Sequence, residues 1–392
     1  LSITGSIVKQ SDQQSTGAPS VRRLEHLDML RGIAAMLVLA NHLRAYVFVG
    51  HGSLNETNLV TTIFYAATTF GHQAVLVFFA LSGFLVGGHA LEAMGNATWS
   101  WGRYLLRRLT RLWIVIIPAL VVTLILDRIG LSLSGGTGYD GTLYDIYVAG
   151  PPARAGIDLS WQTFIGNIAF LQTIAVPEFG TLLPIWSLAN QFWYYILFPL
   201  FFSIFLVRMH ALQRIFSIVL LLGLTAWLPA PLLMAGLIWW AGALAARAQT
   251  SSLFRDNFVR AALLVAVVAT LYLTKQPGAD IWTEIVFGVA VALALPALAQ
   301  LPSFGRAYRL AARGAAEVSY TLYLSHFPFL SLIAFTSLAP PRFHPGFAGA
   351  LLYCGLFVAA LVWAAILWWC FERHTNRAHR FVANRLWSRK PL

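Results

Sequence analysis

Charge is what this chain has least of. Aspartate, glutamate, lysine and arginine make up 11% of its 392 residues and 58% are hydrophobic, against about 25% and 45–50% in an ordinary soluble domain. The deficit runs from residue 29 to residue 372 and excludes a water-soluble enzyme. It excludes disorder as well, which needs low hydrophobicity. Cysteine is scarce: Cys354 and Cys370 sit 16 residues apart in one apolar run, about 24 Å along a helix and too far for a disulfide, so they read as core fillers. No HxxxH or HExxH pair occurs among the ten histidines, and His374 and His379 are off a shared helical face, so no metal is expected. A Walker A loop and a GxSxG elbow are missing too, which removes ATP-driven transport and α/β-hydrolase chemistry. The first 28 residues have no apolar core of a secretory signal, so the first apolar run is expected to serve as the insertion signal. Neither a 20–50-residue repeat nor a soluble domain after the last apolar run is expected.

What is present is a series of apolar stretches of membrane-crossing length. They fall near 29–49, 70–89, 109–128, 186–208, 213–229, 231–248, 257–274, 281–300, 315–338 and 346–372. The expected fold is an all-α integral membrane protein, a bundle of about ten transmembrane helices with both termini cytoplasmic. A cytoplasmic segment (1–28) precedes the transmembrane domain (29–372), and a basic cytoplasmic tail (373–392) follows it. A long extracytoplasmic loop at 130–185 is placed to cap an outer cavity. With that orientation 22 of the 27 Lys and Arg residues fall on the inner side, leaving Arg44, Arg128, Arg154, Lys275 and Arg342 outside. The asymmetry follows the positive-inside rule. It accounts for the net charge of +12 without nucleic acid, and the basic tail suits an anionic leaflet.

Polar side chains inside such spans are costly and mark function. Arg31 and His42 share a face of the first span, since eleven residues bring a helix within about 20° of whole turns. They lie about 16 Å apart along the axis, Arg31 at the inner boundary and His42 just beyond the midplane. An imidazole there is suited to general-base work on a hydroxyl, although a lone histidine also serves as a hydrogen-bonded packing residue. The fourth span opens with Trp186 and an aromatic cluster, which an interfacial belt explains, but Asn190 and Gln191 below it are harder to dismiss. The ninth carries His326 near its middle, with Tyr323, Thr321 and Tyr320 on the turns before it. His42, His326 and Gln191 thus fall at similar depth on three helices and imply a buried cavity. Gly83 and Gly87 are spaced as a close-packing face, with Ser82 beside them free to line the cavity.

Taken in order, these blocks resemble one family. LDMLRGIAAMLVLANH (27–42), GHQAVLVFFALSGFLVG (71–87), RRLTR (107–111), WSLANQFWYYILFP (186–199) and VSYTLYLSHFP (318–328) are similar to the motifs of the acyltransferase 3 proteins, multipass membrane O-acyltransferases. The resemblance covers residues 24 to 375 and implies transfer of an acetyl or other short acyl group from cytoplasmic acyl-CoA, as a co-substrate and not a tightly bound cofactor, to a hydroxyl of an envelope or exported glycan. It makes His42 the base, supported by Arg31 and Gln191. Planar bidentate guanidinium suits the donor's phosphates, which gives Arg108, Arg111, Arg107 and Arg103, with Ser82, to the donor. Trp186, Asn190, His326, Tyr323 and His72 go to the acceptor. A tunnel from the basic inner mouth to His42 is expected. Family members commonly have glutamate where Gln191 stands; a carboxylate there would stabilise a protonated imidazole, whereas an amide only orients it. Gln191 is either natural variation or an introduced replacement. Two other readings compete: a cytoplasmic small-molecule or glycolipid acceptor, and a polysaccharide or lipid transporter. The expected setting is the inner membrane.

Overall fold

The chain's computed structural model describes residues 24–54, 56, 58–143, 156–338 and 342–387. Lys9, Arg22, Arg23, Arg154, Arg389 and Lys390, part of the charge asymmetry, lie outside the described residues. The described residues are all-helical apart from isolated bridges. The first helix, α1 (Glu25–Val47), carries Glu25 and Asp28 in its first turn and Arg44 in its last, each opposite in sign to the helix end it occupies. Next come α2 (Leu59–Ala67), capped by the Asn58 side chain, α3 (Gly71–Ser82) and α4 (Gly88–Gly95). A π-helical turn at Gly83–Gly87 joins α3 to α4. The longest helix, α5 (Trp101–Ser134), contains Pro118 and ends on left-handed Gly135, the usual helix-stopping geometry. After the short α6 (Trp161–Ile168) come α7 (Trp186–Leu206), α8 (Ala211–Trp227), α9 (Ala230–Ala245), α10 (Asn257–Leu273) and α11 (Ile281–Ala299). The last three are α12 (Arg306–Ser337), α13 (Phe347–Cys370) and α14 (Thr375–Trp387).

Among the described residues seven helical stretches are long and apolar enough to cross a membrane, and α8 and α10 are shorter apolar helices. The polar residues of α1, Arg31 and His42 among them, keep it out of that set. Two boundaries differ from the sequence expectation. Residues 101–108 are the first turns of α5 rather than a loop, so the arginines at 103, 107, 108 and 111 project from one rigid rod. Arg306, Arg309 and Arg313 likewise belong to α12. Cys354 and Cys370 are exposed and free instead of buried, because α13 buries only Gly349, Ala360 and Ala364.

The core lies where α12 crosses α1, α5 and α13. Gly32 of α1 abuts Ala315 of α12, and Arg31 donates to the Ala316 carbonyl at 2.7 Å. On the other side α3 packs backbone to backbone on α9: a Cβ at Gly83 would overlap the Trp239 carbonyl oxygen, and one at Gly242 the Ala80 carbonyl oxygen. Gly83→Ala is therefore expected to destabilise by about 1–3 kcal/mol, seen as a lower unfolding temperature of the detergent-solubilised protein. Gly223→Ala on α8, where nothing crowds an added Cβ, should leave that temperature unchanged or raise it.

Of the long loop, residues 156–185 are packed down. The buried Asp127 of α5 accepts hydrogen bonds from the Thr181 amide at 2.8 Å and hydroxyl at 2.6 Å. Gln172 donates to the Ile185 carbonyl at 2.9 Å, and the Trp113 and Trp193 indoles donate to Ile168 and Phe170 carbonyls. This segment rests on α5 and α7 and contributes no residue to the polar cavity described next.

Candidate active site

Where α1, α3, α5, α7 and α12 meet they enclose a cavity of about 170 Å³. Three guanidiniums line it, Arg31 from α1 and Arg108 and Arg111 from α5. Among the rest of the lining the polar wall is uncharged: Ser82, Gln191, Tyr195, Ser187, Tyr320 and Tyr323. Ser82 is the hub of that wall. Its hydroxyl oxygen accepts from the Trp239 indole at 3.1 Å and from the Gln191 amide, and it lies 3.3 Å from the Tyr195 hydroxyl. Gln191 also donates to Tyr195 at 2.8 Å, one turn further along α7. Ser82 is the last residue before the π-helical turn, whose glycines let α9 approach closely enough for Trp239 to reach it.

The imidazoles form a separate group. His42 Nδ1 and His326 Nε2 are 2.8 Å apart, the rings are nearly parallel, and Phe327 stands edge-on to His42. His326 is fully buried and its Nδ1 lies 2.8 Å from the Leu322 carbonyl oxygen, while His42 is half-buried. The chain of donors has one solution when both rings are neutral. A carbonyl only accepts, so His326 Nδ1 carries the proton and its Nε2 offers a lone pair; His42 Nδ1 donates to that lone pair, and His42 Nε2 is left bare. No protein hydrogen bond reaches His42 Nε2 among the described residues. This is the arrangement of an imidazole base held in one tautomer from behind.

Several expectations need correcting. Gln191 does not orient His42; it belongs to the Ser82–Tyr195 wall, and His326 occupies the place behind the ring. Both ring nitrogens of His326 are thereby engaged, with none left for an acceptor. The cavity stops short of His42, which is not among its lining residues. At that end Tyr323, one turn before His326, is hydrogen-bonded to Ser187 Oγ at 2.7 Å and to the Pro184 carbonyl at 3.1 Å. Arg103 and Arg107 do not line this cavity. Asn190 does not either; it is buried beside Tyr194. Trp186 and His72 stack at 6.4 Å, and His72 pairs with Glu284 at 3.0 Å.

Comparison with known proteins bears on this geometry directly. Residues 24–369 match the family described as an acyltransferase domain. The chain belongs to that acyltransferase family. It is also 29% identical over 203 residues to the acyltransferase MdmB of Streptomyces mycarofaciens, a match covering 50% of this chain and 43% of that relative. The chain thus spans less than half the length of the relative. No solved structure matches it. In this acyltransferase-family member all five sequence blocks contribute to the two polar groups: the first supplies Arg31 and His42, the second Ser82, the third Arg108 and Arg111, the fourth Gln191 and the fifth Tyr323 and His326. Sequence reasoning missed Glu372, whose carboxylate accepts from the Thr321 hydroxyl at 2.5 Å and feels both Arg111 and Arg31. The signal was a single acid at the start of an otherwise basic tail. Trp239 was missed too, and nothing in its apolar surroundings sets it apart.

Proposed function

We propose that this membrane protein transfers an acyl group, acetyl in the simplest case, from acyl-CoA at the inner face of the cell's inner membrane to a hydroxyl of an envelope or exported glycan. The observation that carries the reading is the hydrogen-bonded chain from the Leu322 carbonyl through His326 to His42, which leaves a bare nitrogen on a helix inside the bundle. His42 Nε2 takes the proton of the acceptor hydroxyl as its oxygen attacks the thioester carbonyl. The carbon–sulfur bond then breaks, and His42 returns the proton to the departing sulfur. Arg108 and Arg111 hold phosphate oxygens of the donor, with Arg31 at the cavity wall and Glu372 positioning the guanidiniums. The pantetheine arm has to displace the Tyr323–Ser187 hydrogen bond to reach His42. Trp186 offers an aromatic face to the acceptor, and His72 with Glu284 offers hydrogen-bonding groups.

The test is label transfer from [¹⁴C]acetyl-CoA to an envelope-glycan fraction by protein purified in detergent, where no gradient exists. Acid-stable label on the glycan is expected; label that never leaves the thioester points to a transporter. In sealed vesicles, product on the inner side only would favour a cytoplasmic acceptor. The wall around Gln191 gives a further expected result. Gln191→Glu changes the transfer rate by less than tenfold, under about 1.4 kcal/mol in the barrier, because this side chain faces Ser82 and Tyr195. A hundredfold gain would instead restore the idea that a carboxylate belongs behind His42.

A further inference from the structure

A second cavity, of about 320 Å³, adjoins the first and shares Val86 and Arg108 with it. It is walled by α4, by the connection at 98–100 and by the first turns of α5, with His89, Trp99, Arg103, Tyr104, Arg107 and Arg108 as its polar and aromatic lining. The arginines that fail to reach the first cavity are found here: Arg103 and Arg107 at the exposed rim, Arg108 at the junction. Trp99 and Tyr104 have ring centroids 4.9 Å apart, and the Arg108 guanidinium lies 5.8 Å from the Tyr104 ring. Three polar atoms of this wall, Trp99 Nε1, the Tyr104 hydroxyl and Arg108 Nε, are buried without a hydrogen-bond partner among the described residues. Buried donors without partners are costly and rare. Those three atoms sit behind the cavity surface; the surface itself, two exposed guanidiniums beside aromatic rings, suits a ligand that is planar, rich in acceptors and multiply anionic.

We propose that this second cavity holds the phosphorylated nucleoside of the donor, with the base against Trp99 and phosphate oxygens on Arg103 and Arg107. Arg108 stands where the nucleotide passes into the arm that enters the first cavity. The inference rests on the donor reading above and adds a specificity to it: the protein selects nucleotide-bearing thioesters over those of a bare pantetheine arm. A base on an aromatic face contributes about fivefold to 150-fold in affinity, and each phosphate held by guanidinium adds to that.

Calorimetric titration of the purified full chain in detergent tests this without knowledge of the acceptor. The probes are acetyl-CoA, acetyl-pantetheine and adenosine 3′,5′-bisphosphate. Acetyl-CoA is expected to bind at least 100-fold more tightly than acetyl-pantetheine, and the bisphosphate is expected to bind alone and compete with acetyl-CoA. Trp99→Ala should weaken acetyl-CoA and the bisphosphate by about 5- to 150-fold and leave acetyl-pantetheine unchanged. Trp99→Phe should recover most of the loss. Arg103→Gln, on the exposed rim where folding is not at stake, should weaken the bisphosphate alone among the two fragments. Equal affinity for acetyl-CoA and acetyl-pantetheine, or equal loss of both in Trp99→Ala, overturns the nucleoside site while the donor reading stands. No binding of acetyl-CoA at all removes both.

Discussion

Replacing His42 by alanine lowers glycan acylation by about 10²–10⁴-fold, the range a positioned general base supplies, and leaves the affinity for acetyl-CoA within a factor of two or so. The separation of the two readouts follows from the structure. His42 is not among the residues that line the arginine-walled cavity, so its loss removes the proton acceptor without touching the groups assigned to the donor. Packing is little disturbed, since His42 is half-buried and, among the described residues, its side chain hydrogen-bonds to His326 alone. Purified variant and parent are compared for label transfer at saturating donor and for donor binding by calorimetry. Undiminished transfer would end the role given to this imidazole. A parallel collapse of donor binding would instead make it a structural residue.

The next largest effect is expected one ring further back. His326→Leu removes the acceptor of the His42 Nδ1 proton, so His42 loses the bond that holds its ring plane and its tautomer. The loss is about 10- to 100-fold in kcat, by analogy with the partners that orient metal-bound histidines, with KM for the donor unchanged. His326→Gln is the informative companion, because an amide oxygen still accepts from His42 Nδ1 while the amide nitrogen can donate to the Leu322 carbonyl. It should recover most of the rate that leucine loses. If glutamine and leucine are equally poor while both fold, the hydrogen-bond chain has no part in turnover. The same result would follow if His326 only filled space.

The helices were legible because their signal is long and repeated: a helix lies within each apolar stretch, and seven of the resulting segments have crossing length and composition. Arg31 and His42 were legible for a similar reason, since polar groups stand out in an apolar span. The depth argument brought His42 and His326 together correctly and misplaced Gln191. Depth along a helix axis fixes one coordinate only. The rotation of α7 puts Gln191 against Ser82 and Tyr195, a second coordinate that no single helix reveals. The arginines show the converse. Their basic character was plain, but the apolar stretch expected from 109 starts eight residues after the helix that distributes them. Arg103, Arg107 and Arg111 follow each other at four-residue steps on the exposed side of α5, while Arg108 turns inward with Tyr104 and Leu112. Glu372 and Thr321 are 51 residues apart and meet only because α13 returns alongside α12.

Helix α5 joins two regions that chemistry keeps apart. Its first third carries the guanidiniums, and near its far end Asp127 grips Thr181 of the packed-down segment. At 34 residues it is about 50 Å long, more than the thickness of a bilayer's hydrocarbon core. The arginine-rich end and the end that holds Thr181 therefore belong to one continuous helix. The rod has one built-in joint, Pro118, whose missing amide leaves the Ile114 carbonyl without its helical partner. Any bend of α5 between Arg111 and Asp127 is therefore expected at Pro118, the one step of that stretch without a backbone donor.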